Sequence, residues 1–191
     1  SIGFSQARSY LGFLLASFWG TLFAALAARF AGFQDLLTPL ILAIKATPVA
    51  SFIILALIWI PSRNLSVFIS FLMVFPVMYS NVLGGIQTTS RELLEMAQVF
   101  ALPAGRTIRY IYISQILPFF RSACTIGLGL CWKSGIAAEV IGIPDGSIGE
   151  KLYNAKIFLN TPDLFAWTLV IVMVSLCFEK LVLRILDTCV R

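Results

Sequence analysis

At 191 residues, with 59% hydrophobic and 12% charged residues and a mean hydropathy of +0.93, the chain falls outside the composition of soluble domains, where charged residues approach about a quarter. Runs such as Leu11 to Ala28, Val49 to Ile60 and Leu164 to Phe178 would leave large apolar patches in water, so lipid is the simpler solvent. The net charge of +5 is 14 basic against 9 acidic residues, and the basic ones are scattered between apolar runs and form no dense patch with interleaved aromatics, which argues against nucleic acid as a partner.

Five spans are predicted: Tyr10 to Ala28, Leu40 to Ile60, Ser66 to Gly84, Ile116 to Ile141 and Leu164 to Leu183. Each is near the ~20 residues that cross ~30 Å of hydrocarbon. The second carries Lys45 and Pro48, and proline disfavours helix at Thr47, so this element is expected to start with a broken or re-entrant turn at the membrane surface. Trp19, Trp59, Tyr79, Tyr110, Tyr112 and Trp167 fall near span ends and read as interfacial belt residues before ligand stackers. Gly127 and Gly129, with Ser122 and Ala123, give the fourth span a small-residue surface for a neighbouring helix. Cys124, Cys131, Cys177 and Cys189 lie in or beside apolar segments without metal-ligand spacing, and the chain has no histidine, so they read as buried thiols with no metal or cofactor implied. Residue 1 is Ser, and no signal peptide follows it, which fits a start inside a longer gene product.

Five spans place the termini on opposite sides. With the carboxyl end inside, the inner segments hold Arg29, Lys45, Arg91, Arg106, Arg109, Lys180, Arg184 and Arg191, and the outer ones hold Arg8, Arg63, Lys151 and Lys156. The positive-inside bias therefore predicts an outside start and a cytoplasmic carboxyl terminus. In that orientation the longest cytoplasmic connection is 85–115.

Within it, Thr89 and Glu92 read as a capping box opening a helix from Arg91 to Leu102 that stops at Pro103 and Gly105. Leu93, Met96, Ala97, Phe100 and Ala101 share one face, while Arg91, Glu95 and Gln98 lie on the others. Such a helix either lies on the membrane interface or docks into another protein. Its residues also carry a family resemblance. Glu95-Met96-Ala97, then Ala101, Ile111 and Pro118, resembles the "EAA" loop of ABC-importer permeases, in which Glu-Ala-Ala is followed by Gly and later by Ile and Leu-Pro. The chain departs from that pattern at Met96, Ala101 and Ile113-Ser114. Further on, Cys131-Trp132-Lys133-Ser134-Gly135-Ile136-Ala137-Ala138-Glu139-Val140-Ile141-Gly142 is similar to the Ala-Ala-Glu segment of the sulfonate, taurine and nitrate type of permease. Ser147-Ile148-Gly149 stands where such permeases carry Gly-Leu-Gly, Pro48 and Ala50 match the proline-rich start of a middle span, and Phe75-Pro76 matches a Phe-Pro near the next.

The resemblance implies an all-α integral membrane protein: a type I ABC-importer permease core of about five transmembrane helices with a cytoplasmic coupling helix, forming a single permease domain over residues 1–191. Family members usually carry one more span before the region that Tyr10 opens. The implied partners are ABC ATP-binding subunits, a second permease subunit, as homodimer or heterodimer, an extracytoplasmic substrate-binding protein, and the lipid of a bacterial inner membrane. The implied cargo is a small polar or anionic solute such as a sulfonate, taurine, nitrate or a nitrogen heterocycle. Glu95, Met96, Ala97, Phe100, Ala101, Leu102 and Gly105, with Leu93, would couple to the ATPase, and Pro103 to Gly105 would turn the chain into a second short helix whose Arg106 and Arg109 contact lipid phosphate or the ATPase.

Glu139 sits near the outer end of the fourth span, where an ionisable group is costly and needs a partner. Lys133 is a candidate, six residues earlier and so not on the same helix face. Either Glu139 orients the bundle through an interhelical contact, or Glu139 and Lys133 line the path or gate. No phosphate-binding loop and no paired carboxylates occur, so the chain is not predicted to be an enzyme by itself, and ATP hydrolysis belongs to a partner. A secondary transporter would predict inverted repeats and coupling-ion sites, which are not visible, and a membrane scaffold would have no use for a docking helix.

Overall fold

The computed structural model describes residues 2–190, and the side chains of residues 2–184. Arg191, one of the cations used for orientation, and the Cys189 thiol lie outside those limits. The described elements are all helical: α1 (Ile2–Arg29), α2 (Ala31–Ala46), α3 (Val49–Ala56), α4 (Ser62–Gln87), α5 (Arg91–Val99), α6 (Ala104–Thr107), a π-helical turn (Ile108–Tyr112), α7 (Ile113–Gly142), α8 (Ile148–Ile157) and α9 (Thr161–Val190).

Four of these helices are long and apolar enough to cross a membrane, and a fifth span forms if α2 and α3 count as one. The prediction for that pair is corrected in place and shape. The helix starts at Ala31, not Leu40, and the break falls between two helices that meet at 102°. Its cause is local: Thr47 is extended (φ −85°, ψ 131°) ahead of Pro48, and its amide closes α2 onto the Ala43 carbonyl at 3.1 Å.

α1, α4 and α7 form the centre, with α9 at the periphery. About half of the most apolar stretch of α4 and α7 is buried (50% and 56%), against 6% for α9. Close approach depends on missing side chains. A Cβ on Gly12 would lie 2.6 Å from the Val67 carbonyl oxygen, and one on Gly20 would lie 2.6 Å from Met78 Cβ. Lipid gives helices little hydrophobic reason to associate, so backbone proximity of this kind supplies van der Waals contact instead. Phe13, Val74, Met78 and Leu128 fill the space between.

Three predictions change in the packed bundle. Gly127 faces inward, where a Cβ would meet Val74 at 3.0 Å, whereas Gly129 has nothing near it, so the two glycines do not share one surface. Tyr79 is a core residue stacked on Phe75 and not an interfacial ring. Cys124 and Cys131 are buried as expected, but Cys177 is exposed on α9.

Candidate functional site

Two features at opposite ends of the bundle carry the candidate residues. At one end, α5 hangs between α4 and α6. Its amino terminus is not the predicted capping box: Ser90 takes the cap position without a side-chain bond, its amide donates to Gln115 Oε1 at 3.4 Å, and Thr89 Oγ1 donates back to the Gly85 carbonyl at 3.2 Å. The hydroxyl of Thr89 is thus spent on finishing α4.

The carboxyl end of α5 is closed by a Schellman arrangement. Ala101 has φ 48°, its amide donates to the Gln98 carbonyl at 3.0 Å, and the Leu102 amide donates to the Ala97 carbonyl at 2.9 Å. Left-handed backbone is where glycine is favoured, which gives a physical reason for glycine at this place in the resembled loop. Pro103 then caps α6, which runs through the π-helical turn into α7 as one 39-residue span, Ala104–Gly142. Arg106 and Arg109 therefore sit on the first turns of a long helix and not on a separate short one.

The apolar residues of α5 divide into two sets. Ala97 is buried against its own chain and Leu93 and Leu94 are half-buried, while Met96, Val99 and Phe100 project outward, the last two 82% and 71% exposed. Glu95, Ala101, Leu102 and Gly105 are also exposed. Val99 was not among the predicted coupling residues, although its i+3 spacing from Met96 is the signal that finds it.

At the other end, Glu139 is completely buried. Ser5 Oγ on α1 donates to Glu139 Oε2 at 2.7 Å, and the Gly149 amide at the start of α8 donates to the same oxygen at 3.4 Å. The Ile148 amide donates to Ser5 Oγ at 3.1 Å, so Ser5 links α8 to Glu139. α8 can reach α7 because Gly149 has no Cβ: one placed there would collide with the Glu139 backbone. Its amino terminus is itself ordered, with Ser147 Oγ accepting from the Glu150 amide at 3.0 Å and Glu150 Oε2 accepting from the Gly146 amide at 2.7 Å. A carboxylate facing helix-start amides has the favourable dipole sense.

One turn deeper, Gly135 sits among the hydroxyls of Ser9, Ser66 and Ser70, and a Cβ there would collide with Ser9 and lie 2.9 Å from Ser70. Arg8, which precedes Ser9 on α1, is buried, its guanidinium carbon 4.6 Å from the Phe4 ring centroid. Lys133, by contrast, is exposed on another face of α7, so it is not the partner of Glu139. Sequence reasoning missed Ser5, Arg8 and Ser9. Their only signal was polarity at i, i+3 and i+4 near the start of an apolar helix.

A bundle of membrane-length helices with a half-exposed amphipathic helix at one end and a buried carboxylate at the other defines a multi-pass helical membrane protein. Residues 17–188 match the family of binding-protein-dependent transport system inner membrane components, and the chain belongs to that family. The protein named as the aliphatic sulfonates transport permease SsuC of Bacillus subtilis (strain 168) is 26% identical over 94% of this chain and 65% of its own length. The taurine transport system permease TauC of Escherichia coli (strain K12) is 25% identical over 76% of this chain and 53% of its own length. The chain thus spans between about half and two thirds of the length of these relatives. The crystal structure of an amino acid ABC transporter superposes with a TM-score of 0.71 at 16% identity, covering 96% of this chain and 88% of that one, so the fold is that of an ABC transporter permease.

Proposed function

We propose that the protein is the permease subunit of an ATP-driven type I importer, providing the transmembrane path for a small polar or anionic solute of the sulfonate or taurine kind, while a partner chain hydrolyses ATP. The observation that carries this reading is the outward set Met96, Val99 and Phe100 on a short helix belonging to a binding-protein-dependent permease family. In the bilayer the end bearing α5 is cytoplasmic and the end bearing α8 faces the substrate-binding protein, following the distribution of Lys and Arg. A second permease subunit completes the path, as homodimer or heterodimer. The solute class rests on the sulfonate and taurine relatives named above.

Physically, closure of two ATP-binding subunits would carry α5, docked through its exposed apolar side chains and oriented by Glu95, as a rigid body. Because α6, the π-helical turn and α7 are one span, the displacement passes directly from Pro103 into the central helix that carries Glu139 in its last turn. Ligand binding and ATP then shift an equilibrium between inward-open and outward-open packings.

The test is co-purification of the protein with the ATPase encoded beside it, comparing wild type with Glu95→Arg and Phe100→Asp. Stoichiometric capture by wild type and loss in both variants is the expected result. Failure of wild type to capture any ATPase would sink the importer reading.

A further inference from the structure

Arg8 and Glu139 are a basic and an acidic side chain buried in the same bundle, 8% and 0% exposed. Yet Arg8 Nη1, Arg8 Nη2 and Glu139 Oε1 have no hydrogen-bond partner, because Ser5 and the start of α8 hold the other carboxylate oxygen. Unpaired ionisable atoms in a buried site are expensive, and an arrangement in which Arg8 and Glu139 meet would satisfy both. Ser5 and Arg8 are three residues apart on α1, hence on neighbouring positions of one face and separated by about 4.5 Å along the axis. A slide of α1 along α7 by less than one turn would withdraw Ser5 from Glu139 and bring the guanidinium onto it.

We propose that Glu139 exchanges partners during transport: Ser5 and the α8 amides hold it in the state described above, and Arg8 holds it in the opposite one. Displacement of α8 on the face that meets the binding protein is thereby converted into a shift of α1 against α7. Two discrete hydrogen-bonding arrangements of one carboxylate make a bistable element, which is what a coupling signal needs to act on. The role in transport rests on the permease reading, whereas the exchange of partners rests on the geometry of the three residues.

The experiment compares wild type, Ser5→Ala, Arg8→Gln and the double variant in nanodiscs. It reads hydrogen exchange of residues 144–152 in the protein alone, then basal ATPase turnover in the transporter assembled with its ATPase and binding protein. Ser5→Ala removes two hydrogen bonds from the present state, the one to Glu139 and the one from the Ile148 amide, at least about a fivefold change in population, so exchange at 144–152 accelerates and basal turnover rises. Arg8→Gln removes the partner of the opposite state, so exchange does not accelerate and basal turnover falls; the double variant returns towards wild type. Unchanged exchange in Ser5→Ala, or basal turnover moving the same way in both single variants, overturns the proposal. If wild type recruits no ATPase, the permease reading falls and the transport role with it, a result distinct from the exchange data on the protein alone.

Discussion

The Leu102 amide bonds to the Ala97 carbonyl at 2.9 Å across Ala101, whose φ of 48° places a Cβ-bearing residue in left-handed backbone. The end of the helix that presents Phe100 therefore carries local strain.

Relieving that strain should stabilise the protein. Ala101→Gly is expected to gain about 1 kcal/mol, read as a higher unfolding midpoint in detergent with ATPase capture retained, while Ala101→Val lowers it. Equal midpoints for Ala101→Gly and Ala101→Val would show that the turn does not require this conformation in solution.

The division of α5 predicts two kinds of variant. Val99→Asp should lose ATPase capture as Phe100→Asp does, with an unchanged unfolding midpoint, because Val99 is 82% exposed. Ala97→Leu should instead destabilise the protein by about 1–3 kcal/mol through overpacking, since Ala97 is 4% exposed. Loss of capture without loss of stability in Ala97→Leu would mean that α5 is turned the other way in the complex.

The glycines of α7 should separate in the same manner. Gly129→Ala has open space around it and should be neutral or slightly stabilising, because alanine is the better helix former by about 1 kcal/mol. Gly135→Ala would drive a methyl group into the serine layer and should cost about 1–3 kcal/mol. Unfolding midpoints of the two variants, measured side by side, check the register of α7 against α1 and α4.

The two charges of α7 that looked like partners in the sequence should behave as strangers. Glu139→Ala leaves Ser5 Oγ and the Gly149 amide without their acceptor and should cost about 1–3 kcal/mol or more. Lys133→Gln, on an exposed face, should stay within about 0.5 kcal/mol of wild type. Thermal unfolding of the single variants and of the double decides the matter, because additive effects are expected for side chains that do not touch.

Composition alone pointed to a chain that lives in lipid, and hydropathy located α4 and α7 to within four residues at each end, because those signals are sums over about 20 positions. The family was legible as well: the Glu95 to Pro118 loop and the Ala137-Ala138-Glu139 segment are local strings, and the family match over residues 17–188 agrees with them. The start of α1 was misjudged because Ser5, Arg8 and Ser9 depress hydropathy while being buried in the bundle. The Thr47–Pro48 break was readable as chemistry, but its 102° angle was not, since the angle depends on what α2 and α3 pack against.

What only the tertiary structure decided is which polar groups meet. Ser5 and Glu139 are 134 residues apart, and their 2.7 Å hydrogen bond exists because α1 and α7 pack side by side and Gly149 lets α8 close over them. Periodicity within one helix can say which residues share a face, and it sets Lys133 and Glu139 on different ones. It cannot say which face of another helix lies opposite, because that is fixed by backbone approach at positions such as Gly12, Gly20 and Gly135, where the absence of a side chain in one helix is matched to the atoms of its neighbour.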